Sequence, residues 1–207
     1  MSNPLVEYLK ATKSLDRAAT EFLWRDADSS LTFTAPHTKA TFRDEEYKRR
    51  DNNVGVIALE AAKLACANAF LPLTPGDLDG NWDPASRFRR SLLALLPSGS
   101  VVFDVHGMSD THGPDVVLGT ANGQSPEWLV SCMGSSLVNA GFSVETRHTG
   151  PLSAGESTLT WVLAEAGFES LQLEVARRCR LGVEDPETMT RLIAALADGA
   201  VSTARHR

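Results

Sequence analysis

"VVFDVHGMSD", residues 101–110, sets an apolar run against a polar loop, with an acid and a histidine two positions apart at the junction. The run reads as a strand, because short apolar segments rich in β-branched and aromatic residues suit a buried sheet. Side chains alternate along a strand, so Asp104 and His106 share one face. Beyond the loop "HGMSDTHGP", the segment "DVVLGT" reads as the next strand. Upstream, "LTFTA" at 31–35 is a strand stopped by Pro36, with His37 just past its end. "FSVETR" and "SLQLEV" are further strands downstream.

Helical segments separate these strands. Residues 5–24 carry apolar positions near a 3.6-residue period, and residues 54–70 are rich in Ala and Leu with few breakers. Asp83 and Pro84 look like the cap and first turn of a helix running to Leu96. Residues 125–140 form a helix closed by Gly141, and "EDPETMTRLIAALADG" one opened by Asp185 and Pro186, with Gly199 near its end. Strands alternating with helices predict a single α/β domain over 1–207, with a central mixed, mostly parallel sheet flanked by helices. Such sheets bind ligands beyond the carboxyl ends of their strands, where His37, His106 and Glu174 fall.

Composition narrows the function classes. The 207 residues are 43% hydrophobic and 22% charged, the balance of an ordinary globular domain. No apolar run approaches the roughly 18 residues of a membrane span, and the N-terminal stretch lacks a secretory layout, so a cytoplasmic location is expected. A net charge of −6 disfavours nucleic acid as a partner. The basic clusters "YKRRD" and "RFRRS" read as solvated faces. Cys66, Cys132 and Cys179 are odd in number and lack CxxC spacing, which predicts buried free thiols and no disulfide framework.

A mononuclear zinc site takes three protein ligands and keeps one position open. His37 and His106 supply an imidazole pair, and "FRDEEYKRRD" offers Asp44, Glu45, Glu46 and Asp51 as the acid, with none excluded by spacing. The same donors also suit iron or manganese. His112, His148 and His206 have less support, the last lying in the tail "TARHR". Glu174 stands on the opposite strand face from Leu171, Leu173 and Val175. A carboxylate there either pairs with Arg177 or Arg178 or lines a cavity as a general base.

Taken in order, "TAPHTKATFRDEEYKRRDNNVG", "VVFDVHGMSDTHGPDVVLGTANG" and "LQLEVARRCR" resemble the N-formylglutamate amidohydrolase family, whose fold is that of the zinc carboxypeptidases. The resemblance implies that His37 and His106 bind Zn2+ with Asp51, which precedes the helix start "NNVG"; Glu45 is the second choice. It makes Glu174 the base that activates water, and Arg177 a residue that binds a substrate carboxylate or steadies Glu174. Asp104 would orient His106, with Gln172 supporting the site from the face of Glu174. Asn81, in "DGNWD", matches the first residue of an Asn-Arg pair that contacts substrate, with Trp82 in the Arg position. Two departures stand out: Ala40 replaces the Glu expected three residues after His37 in the carboxypeptidases, and a "DTDW"-like stretch is missing. The implied activity is zinc-dependent hydrolysis of the amide of a small N-acyl, including N-formyl, amino acid or a peptide-like substrate. The alternative is a catalytically silent metal-binding or ligand-binding member of the same fold.

Overall fold

The structure, a computed structural model, describes residues 21–44, 46–75 and 78–206. Its centre is a seven-stranded sheet in the order β1-β5-β2-β6-β9-β7-β8, built from β1 (Phe22–Arg25), β2 (Leu31–Thr34), β5 (Asn68–Pro72), β6 (Val101–Met108), β7 (Val116–Gly119), β8 (Val144–Arg147) and β9 (Glu169–Ala176). The neighbours β5, β2, β6 and β9 run parallel, whereas β1 and the β7–β8 pair join them antiparallel. The sheet is therefore mixed and mostly parallel. A two-stranded hairpin, β3 (Thr41–Arg43) and β4 (Glu46–Lys48), stands apart from it.

Among the described residues, five helices flank the sheet: α1 (Val54–Leu64), α2 (Arg87–Leu95), α3 (Glu127–Asn139), α4 (Leu159–Glu165) and α5 (Pro186–His206). Alternation along the central strands sends Val101, Phe103 and Val105 of β6, and Leu171, Leu173 and Val175 of β9, into one core with α1, α3 and α5. Val102 enters a second, smaller core with Phe88 and Leu92 of α2 and Leu159 and Leu163 of α4. On this second face the strands turn polar toward their carboxyl ends: Asp104 and His106 on β6 stand in register with Gln172 and Glu174 on β9. A fully buried parallel strand is ordinarily apolar on both faces, so these four side chains mark the place where the sheet opens to a site.

Several sequence expectations change. The helix expected over 5–24 falls mostly outside the described residues, and its last three residues belong to strand β1 (Phe22–Arg25). The helix expected over 54–70 stops at Leu64, and Asn68–Pro72 is strand β5. Cys66 takes a left-handed turn at φ 51°, while Cys66 N–H bonds Lys63 O and Ala67 N–H bonds Ala62 O. That is the Schellman closure usually made by glycine, here without one. Helix α2 begins at Arg87 rather than Pro84, because the Asp83 carboxylate accepts from Ala85 N–H and holds a turn instead. Helix α5 starts as expected, with Thr188 N–H donating to Asp185 Oδ1 at 3.0 Å, but it continues through Gly199 to His206. A Cβ on Gly199 would come within 2.7 Å of Met133 Sδ, so the glycine serves close α3–α5 packing rather than termination. Of the three cysteines, only Cys179 is buried; Cys66 is exposed and Cys132 half-buried.

The loop 148–158 between β8 and α4 runs close over the sheet, and a Cβ at Gly119 would lie 2.6 Å from Leu152 O. Because that neighbour is backbone, Gly119→Ala is expected to cost about 1–3 kcal/mol in urea unfolding, the usual range for overpacking. A cost below about 0.5 kcal/mol would mean that the loop is not held against the strand.

Candidate metal centre

His37, Asp51 and His106 arrive from three elements. Pro36 stops β2 and opens a single 3₁₀ turn, Pro36–Thr38, which turns His37 inward. Asp51 N–H bonds His37 O at 2.9 Å, and Asp51 Oδ2 accepts Gly107 N–H at 3.1 Å, so the acid is tied to both histidine-bearing segments. His106 lies within β6, two residues before its end. Arg180 braces the same corner from beneath, with its guanidinium donating to Val175 O, Asn52 O and Met108 O.

The two imidazoles meet edge to face, with Nδ1 facing Nδ1 at 3.1 Å. Asp51 Oδ2 is 3.4 Å from His37 Nδ1, and one donor atom from each of the three residues falls within a 4.8 Å span. Each ring has its other nitrogen against a fully buried aspartate. His37 Nε2 bonds Asp79 Oδ1 at 2.8 Å, and Asp104 Oδ2 lies 3.1 Å from His106 Nε2 in a charge contact. Asp104 is itself held by Thr160 Oγ1 at 2.9 Å, and Asp79 by Arg43 Nη2 at 2.7 Å. A carboxylate on the far nitrogen is what fixes a metal-binding histidine's tautomer and orientation. Tetrahedral zinc bonds of about 2.0–2.1 Å separate two ligand nitrogens by about 3.3 Å, so this donor set fits zinc.

Asp79 and Lys48 join the site without a local signal in the sequence. Asp79 sits in the loop "DLDG", and its partnership with His37 spans 42 residues, which no local pattern reveals. Lys48 belongs to the cluster "YKRRD" expected to be solvated, yet its Nζ lies 2.7 Å from His37 Nδ1 and 2.9 Å from Nε2. In "RFRRS", Arg89 is likewise buried, donating to the carbonyls of Gly80, Asn81 and Ser157. Of the other acids in "FRDEEYKRRD", Glu45 lies outside the described residues, and Asp44 and Glu46 are exposed.

Glu174 is 8% exposed and accepts from Gln172 Nε2 at 3.2 Å. Arg178 turns instead to Asp115 and Gly113 O, and Arg177 is exposed, so neither forms the salt bridge that was one reading of Glu174. Arg177 lines a cleft of about 150 Å³ with Arg50, Asp51, Asn52, Arg180 and Leu181, so the cleft shares Asp51 with the donor set. Asn81 is buried, with Oδ1 accepting Leu159 N–H at 2.9 Å, which ties its loop to the start of α4.

Burial pushes the Glu174 carboxyl above the ordinary carboxylate range, against the opposing pull of the histidines and Lys48. Burial would also raise Asp51, but its bond to His37 and the nearby positive charges win and hold it at about 2. Asp79 is held low in the same way, with Lys48 and Arg43 adding to His37. Burial disfavours a charged His106, yet the carboxylates of Asp104, Glu174 and Asp51 raise it to about 9.

With metal removed by a chelator, these shifts set the pH range of stability. His106, raised from 6.5 to about 9, adds stability that is complete below 6.5 and lost as pH rises through about 9. Asp51, lowered from 3.8 to about 2, adds stability present above 3.8 and lost as pH falls through about 2. Melting temperatures are therefore expected to decline between about pH 6.5 and 9, and His106→Gln to remove that decline. Persistence of the full decline in the variant would assign it to another group. Asp79→Asn, which leaves Arg43 without its anion, is expected to cost about 1.5–3 kcal/mol in chemical denaturation, and an unchanged midpoint would contradict the geometry.

No protein-family model matches the sequence, and comparison with curated proteins finds no match. Solved structures do match. A bacteriophage poly-gamma-glutamate hydrolase superposes with TM-score 0.62 at 14% identity, over 96% of this chain and 97% of the other. N-formylglutamate amidohydrolase from Ralstonia eutropha JMP134 gives 0.61 at 16% identity, over 90% and 97%. A gene product of Agrobacterium tumefaciens gives 0.58 at 10% identity, over 91% and 97%. At these identities the likeness establishes a shared fold, the one that the sequence resemblance had implied.

Proposed function

We propose that this chain is a zinc-dependent amidohydrolase that cleaves the amide of a small N-acyl amino acid or a peptide-like substrate. The observation that carries the reading is the convergence of His37 Nδ1, His106 Nδ1 and Asp51 Oδ2 beside a buried Glu174. The fold shared with a poly-gamma-glutamate hydrolase and an N-formylglutamate amidohydrolase supports it.

Zinc held by His37, Asp51 and His106 would supply Lewis acidity, polarising the amide carbonyl and making water reactive near neutral pH. Asp79 and Asp104 keep the two rings presented through Nδ1. Glu174 takes the proton of the attacking water and returns it to the leaving nitrogen, a role for which its raised proton affinity suits it. Gln172 fixes the Glu174 carboxylate through Oε1. Arg177, on the rim of the cleft that Asp51 also lines, binds a carboxylate of the substrate. Asn81 has its carbonyl committed to Leu159, which leaves its NH₂ group for a substrate contact. The three free thiols are in keeping with a reducing compartment such as the cytoplasm.

Purified protein is expected to carry about one zinc per chain by elemental analysis, lost in a His37→Ala, His106→Ala double variant. Glu174→Gln is expected to keep the metal while hydrolysis of N-acyl amino acids falls about 100-fold or more, the usual contribution of a general base. Metal retained by the double variant, or full activity in Glu174→Gln, would overturn the respective assignment.

A further inference from the structure

The two imidazoles are oriented from different parts of the chain. Asp79, behind His37, sits in the loop before α2, where its Oδ1 also accepts Asn81 N–H at 3.0 Å. Asp104, facing His106, is fixed by Thr160 Oγ1 in the first turn of α4. For both rings to point at one centre, the Asp79 loop and the start of α4 must keep a fixed relation.

Arg89 is placed to set that relation. Helix α2 presses its first turn on the Asp79 loop, since a Cβ on Gly80 would lie 2.6 Å from Phe88 Cδ1, and Arg89 follows Phe88 into the interior, where it is 4% exposed. Its Nε donates to Gly80 O at 3.3 Å, and its Nη2 to Asn81 O at 2.6 Å and to Ser157 O at 2.7 Å. Gly80 and Asn81 directly follow Asp79, and Ser157 immediately precedes Thr158, the cap of α4. Ser157 holds a left-handed φ of 71°, a costly backbone for serine that its bond to Arg89 helps to maintain. Burial pulls the Arg89 pKa below the ordinary arginine value, opposed by the charges of Asp104, Asp79 and Asp83. Both ring-orienting aspartates therefore act on this one guanidinium. A rigid planar fork can hold several carbonyls in fixed directions, which a lysine ammonium cannot.

We propose that Arg89 is the positioning residue that sets the two imidazoles relative to each other: by binding the carbonyls of Gly80, Asn81 and Ser157 at once, it holds the carboxylates behind His37 and His106 in one arrangement. The inference rests on the metal-centre reading above and extends it to a residue that touches neither histidine.

Arg89→Lys keeps the charge and loses the fork. Its zinc affinity, read by competition with a chromophoric chelator, is expected to be about tenfold weaker or more, the usual loss when support behind a ligand is removed. The visible bands of the cobalt-loaded variant, which report ligand geometry, are expected to differ from those of the unmodified chain. Leu137→Val, a packing loss at a fully buried position of the main core, is expected to leave affinity and bands unchanged. A folded Arg89→Lys chain that keeps either the affinity or the bands overturns the proposal, as does a Leu137→Val chain that shifts both as far. If Arg89→Lys does not fold, the Arg89 Nε–H resonance decides: it is expected to move in both Asp79→Asn and Thr160→Val, and movement in one alone, or in neither, overturns the proposal. An unmodified chain that takes up neither zinc nor cobalt overturns the metal-centre reading and this inference with it, whereas metal uptake that Arg89→Lys leaves unaltered overturns only this inference.

Discussion

Two imidazole nitrogens facing each other at 3.1 Å, inside a protein and among carboxylates, form the constraint on which the rest of the site depends. Left alone, opposed lone pairs repel, and buried polar atoms without partners cost on the order of 1–3 kcal/mol each. Behind the pair, a buried aspartate faces each far nitrogen and so turns both Nδ1 atoms toward a shared centre, and those aspartates are in turn held by Arg43 and Thr160. The result is a charge layout that calls for cations in the middle, and the Lys48 ammonium lies among these carboxylates. The same layout would serve a divalent ion.

The fold provides the approach. Parallel β6 and β9 present equal positions side by side, so Asp104–Gln172 and His106–Glu174 form two rungs on one face near the strand ends. On the opposite face, Val101, Phe103 and Val105 of β6 and Leu171, Leu173 and Val175 of β9 pack on α1, α3 and α5, which anchors the rungs in the main core. His37 comes from the neighbouring parallel strand β2 and Asp51 from the segment before α1. The site thus lies at the carboxyl ends of adjacent parallel strands, where α/β sheets hold ligands.

Much of this was legible because the signals were local. A dense apolar run gave β6, alternation gave β9 and the face of Glu174, and Pro36 gave the break that releases His37. Gly141, at φ 85°, marked the end of α3, while Cys66 performs the same closure at the end of α1 without glycine, so the strand β5 behind it was read as more helix. Asp79 and Lys48 were missed for a different reason. Each is an ordinary charged residue in a polar stretch, and each becomes part of the site only because the hairpin β3–β4 and the loop before α2 fold over His37.

Everything in this arrangement turns on whether His37, His106 and Asp51 act as one donor set. X-ray absorption at the zinc edge of the metal-loaded protein tests it most directly. Four or five nitrogen and oxygen neighbours are expected at about 2.0–2.2 Å, with the outer-shell scattering of two imidazoles and no sulfur. The imidazole signal should vanish when both histidines are replaced. A sulfur neighbour at about 2.3 Å, or an oxygen-only shell without imidazole, would contradict it.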